Sequence, residues 1–199
     1  MCKNMPPLEL AIQFHGHICP GLLMGIRVAE FALEYLGVEP DSDEELVAIV
    51  ETDSCGVDAI QSILGCTFGK GNLIFKDYGK NVYTIARRDT NRAVRIAQKF
   101  GVKFGPEWPR YRELANQKNL SGEELNEKEN LIGIIFEKLM TMPFEELFTS
   151  RDVEMELPEK ARIAGTVQCE SCGEGVMESR TFVSEKGVLC QPCASKEGV

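Results

Sequence analysis

Both histidines of the chain, His15 and His17, stand in the segment Phe14-His15-Gly16-His17-Ile18-Cys19-Pro20-Gly21, with Cys19 two residues further on. In an extended backbone, side chains two apart share a face, so this spacing converges two imidazoles and a thiol. Pro20 suits the first position of a helix, where its missing N–H would be unpaired anyway, and Cys19 then caps that helix. Unpaired N–H groups and the helix dipole favour negative charge at such a cap and can hold a thiol at about 3.5–7.5. The chemistry open to the three is ligation of a soft transition metal or attack by a thiolate on a small molecule. A lone cysteine or histidine is more often a packed, inert side chain. Three of them at alternating positions outweigh that reading.

A second thiol has a similar setting. Asp53 and Cys55 follow an apolar run and precede a helical pattern, with Asp58 three residues on. His17, Cys19 and Cys55 are therefore expected to share a cleft as ligands or nucleophile, and Asp53 or Asp58 to orient a histidine or accept a proton. The loop Gly65-Cys66-Thr67-Phe68-Gly69-Lys70-Gly71-Asn72 superficially resembles a phosphate-binding loop. It fails the match: the glycine spacing is one residue short, no Ser or Thr follows Lys70, and it leads from helix to strand rather than the reverse. It reads instead as a tight turn that either presents Cys66 and Lys70 to the cleft, Lys70 supplying positive charge, or merely reverses the chain.

The C-terminal segment carries Cys169-Glu-Ser-Cys172 and Cys190-Gln-Pro-Cys193, separated by seventeen residues that include Gly173, Gly175 and Gly187. That spacing suits a four-thiolate zinc site, a redox dithiol being the alternative. With four protein thiolates no coordination position is left for substrate, so this zinc is expected to be structural. Metal affinity of about 10–16 kcal/mol doubles as folding energy in a module too small to bury a core.

The elements that must position these groups follow from the pattern. Glu9–Phe14 fits a short helix. From Pro20 the apolar residues recur at helical spacing to Leu36, and Gly37 closes the helix. Pro40–Glu45 is an acidic loop, Leu46–Val50 a buried strand, and Val57–Leu64 a helix ending at Gly65. Asn72–Tyr78 and Asn81–Arg87 read as strands joined in a hairpin through Gly79-Lys80. Ala93–Ala97 fits a third strand, with a helix as the alternative. Antiparallel pairing follows from the short connections, and the two early helices cover one side of the sheet, an α+β arrangement. Beyond Pro106 and Pro109 the chain turns helical and charged, with a capping box at Ser121-Gly-Glu-Glu124. A polar stretch near 155–163 separates a core domain, 1–160, from a four-cysteine finger, 161–199.

The bulk numbers exclude some functions. The 199 residues carry a net charge of −9, which disfavours polyanions. From Ala164 to Val199 three basic residues face five acidic ones, so the finger has little with which to neutralise phosphates, and nucleic-acid binding is not expected. No apolar run reaches the ~18 residues of a membrane span, and the start lacks a signal-peptide core. The expectation is a cytoplasmic protein in which Cys2 is incidental.

Three ordered motifs carry a resemblance: Phe14 to Leu22 with Gly25 and Arg27, then Asp53-Ser-Cys55-x-x-Asp58-Ala-Ile-Gln61, then Gly65-Cys-Thr67-x-Gly-Lys-Gly-Asn72. Over about residues 8–150 the chain resembles the E-subunit family of formylmethanofuran dehydrogenase. The resemblance implies an α+β core, a C-terminal treble-clef zinc finger as in some members, and a homodimer. It also implies an accessory component of a molybdenum or tungsten enzyme that reduces carbon dioxide to a formyl group, with the redox chemistry in other subunits. Two readings stay open. The core cleft holds a second transition metal or performs thiol chemistry, or the chain is a non-catalytic component docked on redox-enzyme partners.

Overall fold

The computed structural model describes residues 5–40, 43–160, 164–185 and 187–198. Cys2, residues 41–42 of the acidic loop, the 161–163 end of the polar stretch, Lys186 and Val199 lie outside them. The chain divides into two compact units, residues 1–160 and 161–199.

The first unit is built on a five-stranded sheet of β1 (Leu46–Val50), β2 (Leu73–Phe75), β3 (Val82–Arg87), β4 (Ala93–Gln98) and β5 (Phe148–Val153), in the order β2-β1-β3-β4-β5. Every residue of β1 is buried, as an unbroken apolar run requires of a strand covered on both faces. Ala48 lies opposite Ile85 in the antiparallel pair β1/β3, Ile85 opposite Val94 in β3/β4, and Ile96 opposite Ser150 in β4/β5.

The sheet departs from the sequence pattern in two places. The strands flanking Gly79-Lys80 do not pair with each other, because β1 lies between them and pairs in parallel with β2, Ile49 opposite Ile74. Residues 76–81 carry the chain across the end of β1, where the Lys76 N–H donates to Val50 O and the Lys80 N–H to Glu51 O, each at 2.9 Å. A wholly apolar strand is best served by neighbours on both edges, and the connection delivers one to each side. The parallel pair needs a crossover, which α3 (Gly56–Leu64) supplies. The second departure is β5. Its residues 149–152 are all exposed, as an edge strand allows, so its sequence shows no alternation.

Helices α1 (Pro7–His15), α2 (Pro20–Leu36), α4 (Trp108–Asn116), α5 (Gly122–Thr141) and α6 (Phe144–Leu147) complete the unit. The apolar face of α2, including Leu22, Leu23, Ile26 and Leu36, joins Ile60 and Leu64 of α3, Ile85 and Ile96 of the sheet, and Ile135 and Leu139 of α5 in one core. Each such side chain contributes about 1.5–3 kcal/mol on full burial. Gly37, at φ 62, ends α2, and Ser121 and Glu124 exchange both bonds of a capping box at the start of α5. Arg27 donates to the carbonyls of Leu139 and Met142, tying α2 to the last turn of α5. The architecture is α+β, and among the described residues no helix is long and apolar enough to cross a membrane.

The second unit holds two hairpins, β6 (Thr166–Gln168) with β7 (Gly175–Met177) and β8 (Thr181–Ser184) with β9 (Gly187–Cys190), followed by α7 (Gln191–Glu197). Its buried apolar cluster is small, comprising Cys169, Leu189, Cys190, Cys193 and Ala194 with Val176 against it.

Candidate metal centre

The Phe14–Gly21 segment forms a corner between two helices, not the extended run that the alternating spacing predicts. His15 ends α1, and Gly16 at φ 89 stops it with its N–H bonded to Ile12 O. The chain then reverses, and Cys19 caps α2 in extended conformation ahead of Pro20. Convergence results all the same. The ligand atoms of His15, His17 and Cys19 all lie within 4.8 Å of one another. The two imidazole rings are 4.5 Å apart, tilted by 32°, and Cys19 Sγ lies 3.8 Å from His15 Nε2. His17 is exposed, while His15 and Cys19 are half-buried.

Helix α3 completes the arrangement from behind. His15 Nδ1 donates to Asp58 Oδ2 at 2.7 Å. In a neutral ring that bond takes the proton on Nδ1 and turns the Nε2 lone pair toward Cys19 and His17, the orientation a metal-ligating imidazole takes from a carboxylate. The helices come this close through glycine. A Cβ on Gly25 of α2 would lie 2.5 Å from Gly56 Cα and closer still to its carbonyl oxygen, and a Cβ on Gly56 would collide with the Tyr83 hydroxyl. Cys55 immediately precedes α3, and its thiol lies beside that of Cys19. A Cβ on Gly21 would be 3.8 Å from Cys55 Sγ and 4.0 Å from Cys19 Sγ. The cluster sits past the carboxyl end of β1, at the start of the crossover helix, where open sheets with parallel pairs form their ligand crevices.

The electrostatics depart from the expectation of an activated thiol. The Leu22 N–H does donate to Cys19 Sγ, at 3.4 Å. Burial nevertheless pushes the Cys19 thiol up, outweighing that N–H, and neighbouring Cys55 adds to the rise. Burial likewise raises Tyr83, which the Ser54 hydroxyl opposes and Cys55 reinforces. Tyr111 is raised by burial and by Cys19. Spacing marks neither tyrosine, since each reaches the thiols across the fold.

Of the residues singled out in the sequence, the structure brings together His15, His17 and Cys19, sets Asp58 on His15 as the carboxylate that orients it, and leaves Cys55 beside Cys19 but outside the group of three. Asp53 is exposed on the turn before α3, and the carboxylate on the histidine belongs to Asp58. Cys66 and Lys70 lie beyond the opposite end of α3, a helix of nine residues and so about 13 Å long. Cys66 is fully buried in the core, and the Lys70 N–H donates to Thr67 Oγ1 within the turn. The turn reading of that loop holds for its backbone.

In the second unit the sulfurs of Cys169, Cys172, Cys190 and Cys193 all lie within 4.8 Å of one another, a group able to hold a metal ion. Cys172 and Cys190 Sγ are 3.8 Å apart, and the Cys190 N–H donates to Cys169 Sγ at 3.3 Å. Backbone N–H groups of Cys172 and Cys190 pull the Cys169 thiol down to about 6. At Cys172 the Glu174 N–H acts in the same sense, but the adjoining Cys169 sulfur, burial and the other two thiols overcome it and push that thiol up to about 12. Four sulfurs this close cannot share negative charge without a cation among them.

Comparison with known proteins places these features. A relative from Archaeoglobus fulgidus, named Probable S-adenosyl-L-methionine-binding protein, is 37% identical over 195 residues, covering 92% of this chain and 51% of the relative. The chain thus spans about half the length of the curated relative it matches. The crystal structure of a tungsten formylmethanofuran dehydrogenase FmdE-like protein from Syntrophus aciditrophicus is similar with a TM-score of 0.63 at 26% identity, over 96% of this chain and 92% of that one. The family model described as FmdE, Molybdenum formylmethanofuran dehydrogenase operon, matches residues 14–149, from the residue before His15 into β5, and the chain belongs to that family.

Proposed function

We propose that the first unit binds a transition metal through His15 Nε2, His17 and Cys19, and presents it to a small molecule. The observation that carries this reading is the convergence of three ligand atoms within 4.8 Å, with a carboxylate holding the far nitrogen of one imidazole. Two imidazoles and one thiol suit zinc, nickel or iron. Three protein donors are the set of an open site rather than a closed structural one. Bound there, the ion would supply Lewis acidity toward a ligand reaching it past exposed His17. Asp58 keeps the proton on His15 Nδ1, and Cys55 offers a further thiol beside the ion. The raised Cys19 thiol argues against a metal-free nucleophile. In this reading the four-cysteine group holds a structural zinc in a treble-clef-type module, and the protein is a cytoplasmic homo-oligomer.

A second reading, a non-catalytic component docked on a redox enzyme, is favoured by the family's association with a dehydrogenase operon. The exposed aromatic side chains of Phe68 and Phe100 give it a physical footing.

Metal content per chain, measured by mass spectrometry on tag-free full-length protein, tests the first reading. Two ions are expected for wild type. One should be lost in His17→Ala/Cys19→Ser and the other in Cys169→Ser/Cys172→Ser. A His17→Ala/Cys19→Ser protein with wild-type metal content would overturn the core site. Equilibrium dialysis with S-adenosyl-L-methionine, the ligand in the Archaeoglobus relative's name, asks whether that molecule is the one presented to the ion.

A further inference from the structure

We infer that Gln61 is a positioning residue that ties the glycine-rich turn 65–71 to the metal-facing imidazole. The inference rests on the reading of His15 as a ligand. One α-helical turn after Asp58, the Gln61 side chain reaches both ways. Its Nε2 donates to Asp58 Oδ1 at 3.4 Å, and its Oε1 accepts the backbone N–H of Phe68 at 3.3 Å. Asp58 uses its other oxygen, Oδ2, for His15 Nδ1 at 2.7 Å. A continuous line of donors and acceptors therefore runs from the Phe68 N–H through Gln61 and Asp58 to His15 and on to Cys19 Sγ, 3.8 Å from His15 Nε2. An amide suits the middle of this line, because it has a donor for the carboxylate and an acceptor for the turn at the two branches of one rigid plane. Without the Nε2 donor, Asp58 loses a partner that fixes its rotation, and His15 is held by a carboxylate free to turn. Through the Oε1 acceptor, the position of the turn enters the same balance.

The test uses the full chain with the four-cysteine group filled with zinc and with ring-15N histidine, of which the chain has two. In metal-free wild-type core, the His15 ring nitrogens should report a single tautomer protonated at Nδ1. Gln61→Met, which neither donates nor accepts here, should mix the tautomers, speed exchange of the Phe68 amide, and weaken cobalt(II) binding to the core by about tenfold, the low end for groups one step behind a ligand. Gln61→Glu keeps the acceptor for Phe68 but removes the donor to Asp58. It should preserve Phe68 protection while still disturbing His15. Wild-type His15 nitrogen shifts in either variant would overturn the inference. If cobalt fails to bind the wild-type core, the metal reading falls, yet the ring shifts and the Phe68 exchange still decide whether Gln61 positions His15.

Discussion

Replacing Gly25 with Ala should open the site without touching any of its polar groups. The added Cβ would lie 2.5 Å from Gly56 Cα and 2.8 Å from Gly56 C, backbone atoms that cannot swing aside. Restoring ordinary contact at 3.4 Å with Gly56 Cα alone requires α3 to retreat from α2 by about 0.9 Å, and the nearer carbonyl oxygen asks for more. Overpacking of this kind costs about 1–3 kcal/mol, and alanine returns about 1 kcal/mol through its better helix propensity. The net loss is about 0–2 kcal/mol, a fall in urea midpoint of at most roughly 1 M for a slope of about 2 kcal/mol/M. The larger effect is local. Where α1, which carries His15, stays with α2, the same retreat would stretch the 2.7 Å His15–Asp58 bond by up to that amount, toward about 3.6 Å, beyond hydrogen-bond range. Urea titrations followed by fluorescence of Trp108, the single tryptophan, measure the first effect, and ring-nitrogen NMR of His15 measures the second. An unchanged midpoint together with wild-type His15 shifts would refute the claim that glycine contact sets the helix spacing.

Gly21→Ala is the complementary change. Its Cβ meets Cys55 Cβ at 3.3 Å and both sulfurs at 3.8–4.0 Å, so the stability should stay within about 0.5 kcal/mol of wild type while metal loading of the core falls. Glu107 accepts from Lys138 Nζ at 2.6 Å, which holds its carboxyl below the usual range. A depressed carboxylate stabilises the fold above its unfolded value and loses that contribution as pH falls through its folded one. The stability gap between wild type and Lys138→Met should therefore be present at pH 7, shrink below about pH 4.3, and close once Glu107 is protonated in the fold. Withdrawing the proposed zinc from the four-cysteine group with a chelator should abolish amide protection in residues 164–185 and 187–198, whose apolar cluster is small, and leave Trp108 emission unchanged.

What the sequence makes legible is local. Pro20 behind Cys19, Gly37 after the α2 pattern and Ser121 ahead of Glu124 each specify their feature within four residues, and the structure has all three. The cysteine spacings likewise bring four sulfurs together. What escapes a reading of spacing depends on distant partners. Asp58 meets His15 across 43 residues, and nothing in the spacing distinguishes it from Asp53. The insertion of β1 between β2 and β3 follows from pairing demands on both edges of one strand, which a turn signal at Gly79-Lys80 cannot express. β5 has too little burial to leave a periodic trace. The Cys19 thiol departs from its expected range because a cap position says nothing of how much apolar surface closes over it.

The placement of β5 also bears on what folding must close last. His15, His17, Cys19, Cys55 and Asp58 all come from the first 58 residues of the chain, whereas β5 reaches its partner β4 only after residues 99–147 have gone out and returned. Closing that excursion costs conformational entropy before any of its contacts repay it. The corner of α1, α2 and α3 can assemble while the outer strand is still unpaired. The proposed ion, captured at that stage, would tie α1 to α2 through His15 and Cys19 before the outer strand has paired.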